Sequence, residues 1–321
     1  MAAIQTLPKN ASHVGKTRIQ RIKENAGLYV MLLPAVILVL LFAYRPMYGI
    51  LMAFQDYRHG PIWGAPWADP WYRHFERFLS SPSFGNIFRN TIVISGYNLL
   101  AGFPFPIIIA VLLNHIRHEK FKRTYQTISY LPHFISTVVM VALILIWLDP
   151  QSGLWGHLFR FIFGAEANVP NFMASARAFP HVYVWTEVWQ RTGWNSIIYF
   201  AALSSVDPTL YEAATVDGAS RFQKIRYVDI PMILPTASIL LILSAGGIMG
   251  LGFEKAFLMQ NNLNISSSEI IATYIYRVGL VGTVPQFSFS TAVNLFNTAI
   301  NLFLLLSVNF VSKKLGNTGL W

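Results

Sequence analysis

The chain has 321 residues, of which 54% are hydrophobic and 12% charged, and its mean hydropathy is +0.45. An average soluble domain carries roughly 25% charged residues, so a surface this poor in charge cannot face water alone. The chain has no cysteine, which excludes disulfides, thiolate metal sites and a cysteine nucleophile, and the net charge of +10 would suit nucleic acid only if the basic residues shared one soluble face.

Residues 1–26 are a basic tail. Six stretches then reach the roughly 20 mostly apolar residues that a spanning helix needs: 28–50, 90–113, 128–148, 180–203, 232–253 and 287–311. The expected fold is all-α and polytopic, with six transmembrane helices. The first stretch has a basic flank like a secretory signal, but its apolar run is long and no small-residue cleavage site follows, so it reads as a retained anchor. The fourth is interrupted by Glu187, Gln190, Arg191 and Asn195.

The basic residues sort by side. One set of segments holds Lys9, Lys16, Arg18, Arg21 and Lys23, then Arg117, Lys120, Lys122 and Arg123, then Arg221, Lys224 and Arg226, and finally Lys313 and Lys314. The alternate loops hold fewer: Arg58, Arg73, Arg77, Arg89, Arg160, Arg177, Lys255 and Arg277. The positive-inside rule therefore puts both termini in the cytoplasm and removes the nucleic-acid reading. In the first outer loop Trp63, Trp67 and Trp71 alternate with Pro61, Pro66 and Pro70. Indole rings favour the membrane interface, a simpler account than sugar stacking.

Catalytic signatures are missing. The sequence contains no phosphate-binding Gly-x-x-x-x-Gly-Lys loop, no His-Glu-x-x-His and no dinucleotide fingerprint. His115 and His118 could face one metal, but two imidazoles without a third ligand make a weak site. The chain therefore reads as a non-catalytic protein with no metal or cofactor of its own.

The loop 204–231 carries the sharpest pattern. Asp207 is a good N-cap, Pro208 suits the first helical position, and Glu212, Ala213 and Ala214 propagate a turn. Gly218 permits a left-handed residue that ends this helix, and a second short helix from Ala219 leads to Pro231. Such a loop either lies on the bilayer or offers its small alanines to a partner surface.

Glu212-Ala213-Ala214, followed by Gly218 and then by Val228-Asp229-Ile230-Pro231, resembles the EAA signature of permease subunits in bacterial ABC importers, with Val228 and Ile230 as conservative departures. Pro46-Met47-Tyr48-Gly49, Arg89-Asn90-Thr91, Tyr130-Leu131-Pro132-His133-Phe134-Ile135-Ser136, Gly193-Trp194 and Leu320-Trp321 resemble its polysaccharide branch, alginate importers included. The likeness runs over about residues 25–321. It implies a type I importer fold and one half of a transport path for an oligo- or polysaccharide. The implied partners are a second permease chain, two ATPase subunits that bind ATP and Mg, and an outer substrate-binding protein. It also implies that Glu212, Ala213, Ala214, Asp217 and Gly218 couple ATPase closure to alternating access.

Polar residues inside spans are costly and mark candidate sites. Glu187, Gln190, Arg191, Trp194 and Asn195 lie on the fourth span, and Ser290, Asn294, Asn297 and Asn301 form a stripe on the sixth. They read either as a sugar-lined cavity or as interhelical hydrogen bonding. Gly246, Gly247, Gly250 and Gly252 suggest close helix packing. An ion-gradient carrier or channel is the alternative; it would show paired repeats and a buried ion relay, which the sequence does not.

Overall fold

Apolar runs of this length must satisfy their own backbone polar groups, and the helix does so within one segment. A computed structural model describes residues 24–314, and every named element in it is helical, apart from an isolated antiparallel bridge between Gln55 and Trp67. The tail lysines and arginines up to Lys23, and Leu320-Trp321, lie outside the described residues.

The chain divides after Leu51. Before that point lie α1 (Ala26–Val39), a π turn at Leu40–Tyr44 and most of a 3-10 stretch at Arg45–Phe54, whose last residues belong to the second unit. The second unit begins at Met52 and contains α2 (Arg73–Leu79), α3 (Phe84–Gly102), α4 (Pro104–Asn114), α5 (Glu119–Tyr130), α6 (Thr137–Trp147) and α7 (Leu154–Phe163). It continues with α8 (Phe179–Ser204), α9 (Pro208–Val216), α10 (Arg221–Lys224), α11 (Ile230–Gly246), α12 (Phe253–Met259), α13 (Ile265–Ser268), α14 (Ile271–Tyr276) and α15 (Phe287–Lys314).

Among the described residues, four helical segments are long and apolar enough to cross a membrane: Ala26–Phe54, Phe84–Asn114, Arg221–Gly246 and Phe287–Lys314. The expected third span, 128–148, is not one helix. Glu119–Phe134 and Thr137–Trp147 meet at a bend of 100°, so together they form at most a broken span. Pro132 lacks the N–H a continuing helix would use, and Ser136, in extended backbone, restarts the helix by accepting from the Val139 N–H at 3.4 Å. The expected fifth span, 232–253, stops at Gly246, and the chain runs irregularly to Phe253. α8 is an unbroken 26-residue helix, about 39 Å long, but its charged middle keeps it out of the apolar class.

Three apolar clusters hold the second unit together. Ile94, Met140, Ile144, Tyr183, Val184 and Met259 join α3, α6, α8 and α12. Phe78, Met249, Ile271, Tyr274, Phe289 and Val293 join α2, α14 and α15. Ala110, Val111, Tyr199, Leu203, Ile233 and Ala237 join α4, α8 and α11.

Several glycines mark close approaches, and two of them bring α8 onto α5 and α11 onto α15. A Cβ at Gly193 would lie 1.9 Å from the Ser129 carbonyl oxygen, so α8 packs directly on the α5 backbone. A Cβ at Gly246 would lie 2.5 Å from Leu305 Cδ1, which is the close packing expected there; Gly247, Gly250 and Gly252 sit instead beyond the end of α11. Gly193→Ala is expected to cost about 1–3 kcal/mol through forced separation of α5 and α8. Thermal melting of the purified protein checks this; an unchanged midpoint would contradict the contact.

Candidate functional site

A cavity of about 890 Å³ lies where the middle of α8 faces the end of α3 and the irregular stretch after α11. All five candidates from the fourth span, Glu187, Gln190, Arg191, Trp194 and Asn195, line it. At its charged centre the Glu187 carboxylate bonds the Arg191 Nε one turn on and the Lys255 Nζ at 2.9 Å. Lys255 also donates to the Tyr183 carbonyl at 3.1 Å and sits 4.9 Å from the Tyr183 ring centroid, so its charge is fully engaged. The Arg191 side chain is 60% exposed, and only its Nε is bonded among the described residues. Its remaining guanidinium nitrogens are free to bind a planar anion. Gln190 is engaged otherwise, donating to the Ile135 carbonyl at 2.9 Å.

Sequence reasoning missed several polar lining residues, Lys255, Ser95 and Asn98 among them. In the sequence Lys255 reads with the outer loops, because the irregular stretch that brings it back to α8 leaves no mark in hydropathy. Ser95 and Asn98 on α3 also line the cavity, and the Ser95 Oγ and Asn98 Oδ1 are buried without a protein partner. An alternation of Ser and Asn at a spacing of three on an apolar helix was the available signal.

The sixth-span stripe lies elsewhere. Ser290, Asn294 and Asn297 line a second cavity of about 590 Å³, which shares Gly250, Leu251 and Phe253 with the first. Asn301 lines neither; its Oδ1 accepts from the Met249 N–H at 2.9 Å, while the Asn297 Nδ2 donates to the Met249 carbonyl at 3.4 Å. These two asparagines satisfy the backbone that α11 leaves open where it ends.

The loop after α8 is built as its sequence suggests in its first half. The Asp207 carboxylate accepts from the Thr209 N–H at 2.9 Å, which holds its pKa below the usual carboxylate value. Pro208 opens α9. Gly218 has φ +75°, and the Ala219 and Gly218 N–H groups donate to the Ala214 and Thr215 carbonyls at 2.9 and 3.1 Å. This pair of bonds is a Schellman C-cap. The second half differs from expectation. Ser220 and Gln223 form a capping box, and the helix begun at Arg221 does not stop near Pro231. It runs through a π turn at Ile225–Asp229 into α11, and the wide turn falls where Pro231 lacks the N–H of a regular helix.

No side chain of α9 is buried, and Glu212, Ala213 and Asp217 are exposed. Val216 is 88% exposed, an apolar side chain offered outward from a polar loop. His115 and His118 have separate roles: His115 Nε2 lies 2.5 Å from Asp229, and the His118 Nδ1 accepts from the Phe121 N–H as the N-cap of α5.

Comparison with known proteins agrees with this architecture. The chain is 41% identical over 307 residues to the polygalacturonan/rhamnogalacturonan transport system permease protein YteP of Bacillus subtilis, covering 95% of this chain and 94% of that protein. It is 35% identical over 325 residues to Protein LplB of the same organism, covering 99% and 100%. Among solved structures, it superposes on a chain of a bacterial alginate ABC transporter in complex with alginate pentasaccharide-bound periplasmic protein, with a TM-score of 0.85 and 35% identity, covering 95% of this chain and 100% of that one. Residues 102–317 match the family described as binding-protein-dependent transport system inner membrane component, and the chain is a member of that family.

Proposed function

We propose that this chain is one permease subunit of an ATP-driven importer that takes an acidic oligo- or polysaccharide from a substrate-binding protein outside the cell membrane. It crosses the membrane six times with both termini in the cytoplasm, and it pairs with a second, different permease chain. It is not itself an enzyme: two partner ATPase subunits bind ATP and Mg and hydrolyse the nucleotide. The cavity on α8 is its half of the sugar path. Glu212, Ala213, Ala214, Asp217 and Gly218 form the docking and coupling surface for one ATPase.

The observation that carries the substrate reading is the Arg191 side chain, exposed in the cavity with only its Nε bonded, beside a Lys255 whose charge is already engaged. A guanidinium fork held this way fits the planar carboxylate of a uronic acid residue. Ser95 and Asn98 add polar side chains to the cavity wall. The names of the relatives support the same substrate class: polygalacturonan for one, alginate for another.

Uptake by the assembled transporter in vesicles tests this. Oligogalacturonate or alginate oligosaccharide should enter only with internal ATP and the ATPase subunits, and a neutral malto-oligosaccharide should not compete. Arg191→Gln should lower uptake of the acidic sugar about tenfold while leaving assembly intact, the effect of losing one charge-assisted hydrogen bond. Uptake driven by an ion gradient without ATP, or wild-type uptake by Arg191→Gln, would contradict the reading.

The coupling surface has its own test. A Cβ at Gly218 meets nothing within 4 Å, so a substitution there acts through the backbone, where a non-glycine residue at positive φ costs roughly 1–2 kcal/mol. Gly218→Val should fray the end of α9, and both uptake and sugar-stimulated ATP turnover should fall while the spans stay inserted. Full coupled activity in that variant would mean that α9 is not the transmitting element.

A further inference from the structure

One buried charge lies outside the cavity. The Asp229 side chain is 0% exposed and ends the π turn that leads from the loop into α11. Tyr211 on α9 donates its hydroxyl to the Asp229 Oδ1 at 2.5 Å. His115, which caps the end of α4, places its Nε2 2.5 Å from Oδ2. Asn114, the last residue of α4, donates to Oδ1 at 3.3 Å and to the Tyr211 hydroxyl oxygen at 3.1 Å. Four residues from three elements thus close a ring of hydrogen bonds around one carboxylate. Burial, and then the bond to Asp229, push the Tyr211 hydroxyl up to about 12, so it stays protonated and able to donate at neutral pH.

We propose that Asp229 is the joint through which α9 grips the membrane helices, so that a displacement of α9 is carried into α4 and α11 together. The inference rests on the reading of α9 as the ATPase-coupling helix. α9 has no buried side chain, so apolar packing does not hold it in place. Among the described residues its side-chain bonds to neighbouring elements are those of Tyr211 to Asp229 and Asn114, and of Thr215 to Lys224 Nζ at 2.7 Å. The Thr215 bond stays within the loop and reaches only α10. Tyr211 is therefore the tie to α4, and Asp229 is the atom group on which that tie ends.

A carboxylate suits this task better than an apolar contact. Packed apolar surfaces can slide past each other, whereas short bonds to a charged acceptor fix direction and register. A buried carboxylate is also costly to leave unpaired, so the ring resists opening at any one member. At the start of the same π turn, Ile225 packs on the cluster that joins α4, α8 and α11, which continues the path toward the cavity helix α8. Asp229 is a positioning residue: it touches neither sugar nor nucleotide.

The chain's lack of cysteine allows a test that needs no known sugar. Asn195→Cys is introduced in the cavity of the assembled transporter, and its labelling by a membrane-impermeant maleimide is timed without nucleotide and after trapping with MgATP and vanadate. The otherwise unaltered protein should show a clear ratio between the two rates. Asp229→Ala should bring that ratio close to one with the ATPase subunits still bound, and Tyr211→Phe, which removes a single hydroxyl, should shrink it. Asp229→Asn, which keeps an acceptor for Tyr211, should recover part of it. An unchanged ratio in both Tyr211→Phe and Asp229→Ala would overturn the joint. So would a loss confined to the amount of assembled complex, with each complex behaving as wild type. Gly218→Val separates the two readings: if it abolishes the ratio while Tyr211→Phe does not, only the joint fails, and if it too leaves the ratio unchanged, the coupling reading fails.

Discussion

Lipid offers no hydrogen-bond partners, so each backbone N–H or C=O freed at a helix break must be met by the chain itself. The architecture follows from this at several places. The end of α11 is closed by Asn301 and Asn297 on Met249. The start of α14 is closed by Thr91, whose Oγ accepts from the Ile271 N–H at 2.9 Å while donating to the Ile87 carbonyl at 2.8 Å. Asn90 donates to the Ser266 and Glu269 carbonyls at 2.9 and 3.0 Å, and Gln190 meets the carbonyl of Ile135 at the break before α6. Amide and hydroxyl side chains on unbroken helices thus tie down the broken ones. The irregular stretches are then free to line a cavity rather than to rest on lipid.

The same economy governs charge. Glu187, Arg191 and Lys255 form one cluster in which a single carboxylate serves two cations, leaving a net positive site at Arg191. Glu254 also lines the cavity, so a second carboxylate accompanies the two cations there. In the loop region the isolated carboxylate of Asp229 is held by three donors; Arg221 and Arg226 are exposed, and the Lys224 Nζ is turned to Thr215 on α9. The first cluster lines a cavity, whereas Asp229 is fully buried.

Much of this was legible in the sequence. Hydropathy marked the helical stretches, and Asp207, Pro208 and Gly218 marked both ends of α9 through local rules that need only neighbouring residues. What stayed hidden depended on distant partners. The bend at Pro132 sits inside an apolar window, where a running average counts proline as a minor loss. Lys255 lies two residues beyond an apparent span, so it read as a loop cation until the irregular chain returned it to Glu187. Asp229 stands inside a motif that was recognised, but its partners His115 and Tyr211 are 114 and 18 residues away and carry no mark of their pairing. The polar stripe on α15 was visible as a stripe, but its division into cavity-lining Asn294 and backbone-binding Asn301 required the end of α11.

The account depends most on α9 being the surface that an ATPase grips. A single cysteine at Ala213, exposed and set in the middle of α9, reports on this directly in an otherwise cysteine-free chain. In the assembled transporter it should cross-link to the ATPase subunit and be shielded from a water-soluble maleimide, and the isolated chain should label freely. Equal labelling in the complex and in the isolated chain, with no cross-link formed, would contradict the account.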